Sequence, residues 1–96
     1  MTPPFKVRTT ARYDRLAKSL QRGNPNFFTY HGSALEILSL DPYNYTSRYH
    51  IKKLEGVPPG DGQWRLSLGR WRFRYDIYYQ DVVLQYCGLR REDTYR

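Results

Sequence analysis

The sequence predicts an α+β fold, in which an N-terminal strand and a helical hairpin pack on one face of a small, twisted, mainly antiparallel sheet. Two observations carry that expectation. Apolar residues recur at helical spacing in two consecutive stretches before residue 41, and strict two-residue alternation takes over from Gln63 to Ile77. Helical stretches followed by a run of strands, rather than interleaved with them, describe an α+β layer arrangement.

Each element follows in order. Phe5 to Thr9 alternates over a short span and reads as a first or edge strand, after which Thr9 or Thr10 can cap a helix. Between Ala11 and Arg22, Tyr13, Leu16, Ala17 and Leu20 lie on one stripe; Gly23-Asn24-Pro25 then breaks the helix. Phe27, His31, Ala34, Leu35 and Leu38 form a second stripe that ends near Asp41-Pro42. Two helices with so short a break make a hairpin. Tyr43 to Tyr49 reads as a loop, His50 to Leu54 as a short strand, and Glu55 to Gly62 as a loop rich in proline and glycine. Trp64, Leu66 and Leu68 share one face of the next strand. After a tight turn near Gly69-Arg70, Trp71, Phe73, Tyr75 and Ile77 share one face of its partner. The opposite face of this pair carries Arg65, Ser67, Arg72, Arg74 and Asp76. Asp81 to Leu89 is apolar on both sides without strict alternation, which suits a strand inside the sheet.

Length and charge narrow the function. The 96 residues make one domain, spanning 1–96, and carry a net charge of +7. The basic excess is densest between Arg65 and Arg74, where Arg65, Arg70, Arg72 and Arg74 occur without an acid. Such a balance points to a polyanionic partner: nucleic acid, an acidic protein or a membrane surface. A single cysteine, Cys87, excludes an internal disulfide and a thiolate metal cluster. No apolar run approaches the roughly 20 residues of a membrane span, and Met1 to Phe5 lack the apolar core of a signal peptide. The expectation is a cytoplasmic protein without a membrane partner, a metal or another cofactor.

The chain shows no nucleotide-binding loop, zinc spacing or nucleophile elbow. Of the two histidines, His31 lies on the apolar stripe of the second helix and reads as a packed residue. His50 opens a strand beside Lys52 and Lys53, where catalytic and structural roles both remain open. Glu55 and Asp61 read as solvated loop residues. What is left is an arginine-rich site. Arginine stays protonated, holds phosphate bidentately and stabilises charge that builds on phosphorus. Ribonuclease chemistry asks for little more, because the substrate's 2′-hydroxyl is the nucleophile and the protein supplies in-line geometry, charge and proton transfer. His50, Lys52, Lys53 and Tyr95 are the candidates to move protons. The alternative for Arg65, Arg72 and Arg74 is a solvated sheet face.

The motifs Lys53-Leu54-Glu55-Gly56, Trp64-Arg65-Leu66-Ser67-Leu68-Gly69 and Trp71-Arg72-Phe73-Arg74-Tyr75, with Arg90 and Tyr95 near the C-terminus, resemble the RelE/ParE toxin superfamily of type II toxin–antitoxin systems. The resemblance spans the chain in order, with its specificity in the second half. It implies the RelE-like microbial ribonuclease fold and, for the RelE-like branch, ribosome-dependent, metal-independent endonuclease cleavage of mRNA that inhibits translation. It implies a phosphate clamp at Arg72, charge stabilisation or proton donation at Arg90, with Arg91 as the neighbouring register, and base stacking or 2′-hydroxyl orientation at Tyr95. The two lysines of RelE itself fall on Arg65 and Ser67 here, so His50 and Lys52 become the candidates for general base. Lys53, Arg74 and Arg91 complete the expected RNA-binding set. The implied partners are a cognate antitoxin, mRNA in the ribosomal A site, and operator DNA bound by a toxin–antitoxin hetero-oligomer. Two other readings stand beside this one: a ParE-like inhibitor of DNA gyrase without ribonuclease activity, and a non-catalytic basic module that binds RNA or protein.

Overall fold

In the computed structural model, which describes residues 3–90, the chain runs β1 (Lys6–Thr9), α1 (Ala11–Gly23), α2 (Phe27–Leu40), β2 (His50–Lys53), β3 (Trp64–Leu68), β4 (Trp71–Tyr78) and β5 (Asp81–Leu89). Thr10 caps α1, its hydroxyl accepting the Tyr13 N–H at 3.0 Å, and the Asn24 side chain donates to the Leu20 carbonyl at the other end. The Asp41 carboxylate follows α2 and organises the turn beyond it by accepting from Tyr45 N–H, Thr46 N–H and the Thr46 hydroxyl. Burial works to raise the Asp41 carboxyl, but these bonds outweigh it and hold its pKa below the ordinary aspartate value.

The five strands form one sheet in the order β1-β5-β4-β3-β2, with β1 parallel to β5 and the other neighbours antiparallel. Both helices cover the same face. Tyr13 from α1 and Phe27, Ala34 and Leu38 from α2 are buried against Leu66, Trp71, Phe73, Tyr75, Val82, Leu84 and Cys87. Phe27 is central to this layer, meeting Trp71 edge-on at 5.0 Å and stacking with Phe73 at 6.5 Å between ring centroids. The Tyr75 hydroxyl donates to the Pro42 carbonyl at 2.7 Å, tying β4 to the connection after α2. His31 is packed as expected: the Tyr13 hydroxyl and His31 Nδ1 lie 2.8 Å apart, and the Phe27 ring stacks on the imidazole. Burial lowers the His31 pKa and raises that of Tyr13.

The absence of strict alternation in the last strand has a local cause. Arg74 pairs with Tyr86 but Tyr75 pairs with Leu84, so Gln85 is an extra residue in a β-bulge. Val82 and Leu84 face the helices before the bulge. Beyond it the parity reverses: Cys87 enters the core and Tyr86 turns to the other face.

Asp76 corrects the expectation of a polar residue on an open face. It does lie on the arginine side of β4, but it is fully buried. Its carboxylate accepts N–H bonds from Gly60, Gly62 and Gln63 at 2.9, 3.1 and 2.9 Å, and from the Gln85 side-chain amide at 3.1 Å. One buried acid thus pins the long β2–β3 loop over the end of the sheet and braces the bulge from the other side.

Candidate functional site

The face of the sheet turned away from the helices is organised by cross-strand register. His50, Ser67, Arg72 and Gly88 form one row across β2, β3, β4 and β5, and Lys52, Arg65, Arg74 and Tyr86 form the next. Directly opposed residues in antiparallel strands sit with Cβ atoms roughly 5 Å apart. The register therefore brings together His50, Lys52, Arg65, Arg72 and Arg74 from separate parts of the sequence. Tyr49, His50, Ile51, Lys52, Arg65, Ser67 and Arg72 line a shallow cleft of about 370 Å³ on this face.

The arginines are held rather than loose. Arg72 Nη1 donates to the carbonyls of Gly69 at 2.7 Å and Trp71 at 2.9 Å, which sets its guanidinium against the β3–β4 turn. Arg74 Nε donates to the Gly62 carbonyl at 3.2 Å, in the loop anchored by Asp76. Gly62 has φ +84°, and a Cβ there would stand 2.7 Å from Arg74 Cβ, so glycine is required for the loop to close over the arginine. Arg65 is different: its Nε is buried and has no hydrogen-bond partner among the described residues. It lies between Lys52 and Arg74, cations directly opposite it on both neighbouring strands. Like charges so placed repel, and a buried donor without an acceptor costs about 1–3 kcal/mol. An anion in the cleft relieves the repulsion.

Other expected site residues separate. Lys53 points to the helix side, where its Nζ sits 5.8 Å from the Trp64 ring centroid. It is thus on the opposite face from Lys52. Arg90 is exposed at the end of β5, where its N–H donates to the Arg70 carbonyl at 2.7 Å beside the β3–β4 turn. Arg91 and Tyr95 lie outside the described residues. Among the described residues, no group of three or more His, Cys, Asp or Glu is placed to hold a metal ion. No described helix is long and apolar enough to cross a membrane.

Sequence reasoning missed four participants. Tyr49 enters the cleft rim because Asn44 holds its backbone from both sides, donating to the Tyr49 carbonyl at 2.9 Å and accepting its N–H at 3.1 Å. Tyr86 and Gly88 reach the basic face only through the bulge. Gly62 acts through long-range contacts, with no local signal beyond its place in a loop. An acid isolated among arginines, Asp76, was the one local hint of that anchor.

The same architecture is found in a solved structure. The chain is similar to a chain in the crystal structure of the archaeal RelE–RelB complex from Pyrococcus horikoshii OT3, with a TM-score of 0.61 and 20% sequence identity over 93% of this chain and 98% of that one. The fold implied by the sequence resemblance is therefore the fold the chain adopts. No family model and no curated protein matches the sequence.

Proposed function

We propose that this chain is the toxin of a toxin–antitoxin pair and that its basic sheet face cleaves mRNA in the ribosomal A site. The observation that carries the reading is the row of cations Lys52, Arg65 and Arg74 set directly opposite one another, with Lys52 and Arg65 lining the cleft. That arrangement is unfavourable in the free protein and favourable around a phosphate.

The chemistry follows from the rows. Arg65 and Arg72 hold the scissile phosphate and stabilise the charge that builds on its oxygens as the substrate 2′-oxygen attacks phosphorus. His50, exposed at the β2 end of the Arg72 row, takes the 2′-proton. The bond from phosphorus to the 5′-oxygen breaks as the new bond forms. Lys52 gives a proton to the leaving oxygen. The products are a 2′,3′-cyclic phosphate and a 5′-hydroxyl, with no cofactor consumed. Arg74 and Arg90 extend the positive surface along the RNA backbone.

An antitoxin partner is supported by the fold similarity to a RelE–RelB complex. The net charge of +7 favours an acidic covering segment, drawn in by electrostatic steering, and the antitoxin would link the pair to operator DNA. Toeprinting on translating ribosomes tests the reading. Codon-position cleavage by the unaltered protein, lost in Arg72→Ala, is the expected result. Absence of cleavage together with inhibited gyrase supercoiling would favour the ParE-like function instead.

A further inference from the structure

Resting on the RNA reading above, we propose that Tyr86 contacts the substrate, its hydroxyl donating a hydrogen bond to the phosphate held by Arg72, and that Gly88 is the residue that opens this position. Three observations converge on it. The bulge at Gln85 turns Tyr86 onto the basic face, directly opposite Arg74, and leaves it partly accessible. The phenol then folds along β5 over Gly88: a Cβ at Gly88 would stand 2.5 Å from the Tyr86 hydroxyl and 3.0 Å from its Cζ. Gly88 is itself the cross-strand partner of Arg72, so the hydroxyl ends at the β5 end of the row that begins with His50.

Arg12 settles which part of the tyrosine is on offer. Its guanidinium carbon sits over the Tyr86 ring, 5.8 Å from the centroid, reaching across from the start of α1. Gly88 lies under the ring and Arg12 over it, which leaves the hydroxyl as the group nearest the Arg72 row. The guanidinium also fixes the ring, which lowers the entropic cost of ordering it on substrate. The hydroxyls of the buried tyrosines Tyr13 and Tyr75 are engaged by His31 and the Pro42 carbonyl and point away from this face. Tyr49 lines the β2 side of the cleft, and Tyr86 is the tyrosine that β5 sets directly opposite Arg74.

The two residues give complementary tests. Tyr86→Phe keeps the ring and the Arg12 contact and removes the hydroxyl. Gly88→Ala keeps the hydroxyl and displaces it, and the far end of a side chain can move at little cost to the strand. Binding is read by fluorescence anisotropy with a 2′-O-methyl RNA oligonucleotide, which cannot be cleaved, and cleavage is read separately on ribosome-bound mRNA. Each variant is expected to weaken oligonucleotide binding about tenfold, the scale of one hydrogen bond to a charged oxygen, with a melting temperature close to that of the parent. The double variant is expected to be no weaker than either single one, because both act through one hydroxyl. Parental affinity and cleavage in both variants, beside loss in Arg72→Ala, would overturn the assignment of Tyr86 and leave the RNA reading intact. A parent protein that neither binds the oligonucleotide nor cleaves mRNA overturns both.

Discussion

The Asp76 carboxylate accepts the Gly62 N–H at 3.1 Å, and the carbonyl of the same glycine accepts Arg74 Nε at 3.2 Å. One acid therefore positions an arginine on its own strand without pairing to it directly, through a loop that returns from the other side of the sheet. The arrangement keeps the guanidinium's outward face available while its inner nitrogen is anchored. All the bonds of the carboxylate run to amides, and none to an arginine.

Removing that acid is expected to be costly. Asp76→Ala leaves three backbone N–H groups, that of Gly62 buried, and the Gln85 amide without their acceptor, an expected loss of about 3 kcal/mol in urea denaturation. Gly62→Ala, placed at φ +84° and against Arg74 Cβ, is expected to cost about 1–3 kcal/mol. A loss below about 0.5 kcal/mol in both variants would contradict the anchoring role.

Arg65 sits at the opposite extreme. Replacing it by methionine keeps much of the stem while removing the unpartnered Nε and the repulsion from Lys52 and Arg74. Arg65→Met is therefore expected to leave stability unchanged or raise it by up to about 1 kcal/mol, while abolishing growth inhibition on induced expression. A variant that is both less stable and still toxic would show that the cation row serves the fold rather than an anion.

Arg72→Ala and Arg90→Ala are each expected to abolish growth inhibition with the fold intact. Arg72 loses side-chain bonds to the Gly69 and Trp71 carbonyls, worth about 1 kcal/mol at most on a partly exposed turn. The β5 link at Arg90 is made by its backbone and survives the substitution. Circular dichroism melting beside the toxicity assay separates the two effects, and full toxicity in either variant would remove that residue from the site.

Lys52 and Lys53 are adjacent in sequence and opposite in space, which gives a sharp comparison. Lys52→Ala is expected to weaken RNA binding and to reduce the slope of log K against log salt by about 0.7, the value for one phosphate contact on a single strand. Lys53→Ala loses a cation–π contact with Trp64 and is expected to leave that slope unchanged. Equal effects from the two would contradict the assignment of faces.

The buried network behind the sheet has a pH signature. His31 titrates below its ordinary value of 6.5 in the fold because burial disfavours its charged form. Below 6.5 the unfolded chain binds more protons at this residue than the native one, so its contribution is fully present above that pH and declines as pH falls towards the depressed native value. Urea midpoints between pH 7.5 and 5.5 are expected to fall in the parent and to fall less in His31→Gln. In the same core, the Cys87 thiol is pushed up to about 11, chiefly by burial. Alkylation at pH 8 is expected to await unfolding.

Much of the architecture was legible along the chain because it is encoded by local periodicity. The stripes at Tyr13, Leu16, Ala17 and Leu20 and at Phe27, Ala34 and Leu38 place two helices, and the alternation from Trp64 to Ile77 places two strands and says which side carries arginine. The candidate cleft was legible in half. His50, Lys52, Arg65 and Arg72 were named from charge and strand parity, and the sheet register gathers them around one cleft. Lys53 was named with them, although the parity that carries Lys52 outward turns Lys53 inward.

By itself, the sequence determined two helices, a sheet with an apolar side and a cationic side, and the spacing of cations on that side, since each follows from repeats of two or about 3.6 residues. Only the tertiary structure decided that Asp76 is buried, that Gly62 must meet Arg74, and that Tyr86 rather than Cys87 faces the arginines. The reason is physical. A bulge inserts one residue into an alternating pattern and reverses every side chain after it, and what holds that bulge here is a carboxylate nine positions earlier with a loop folded over it.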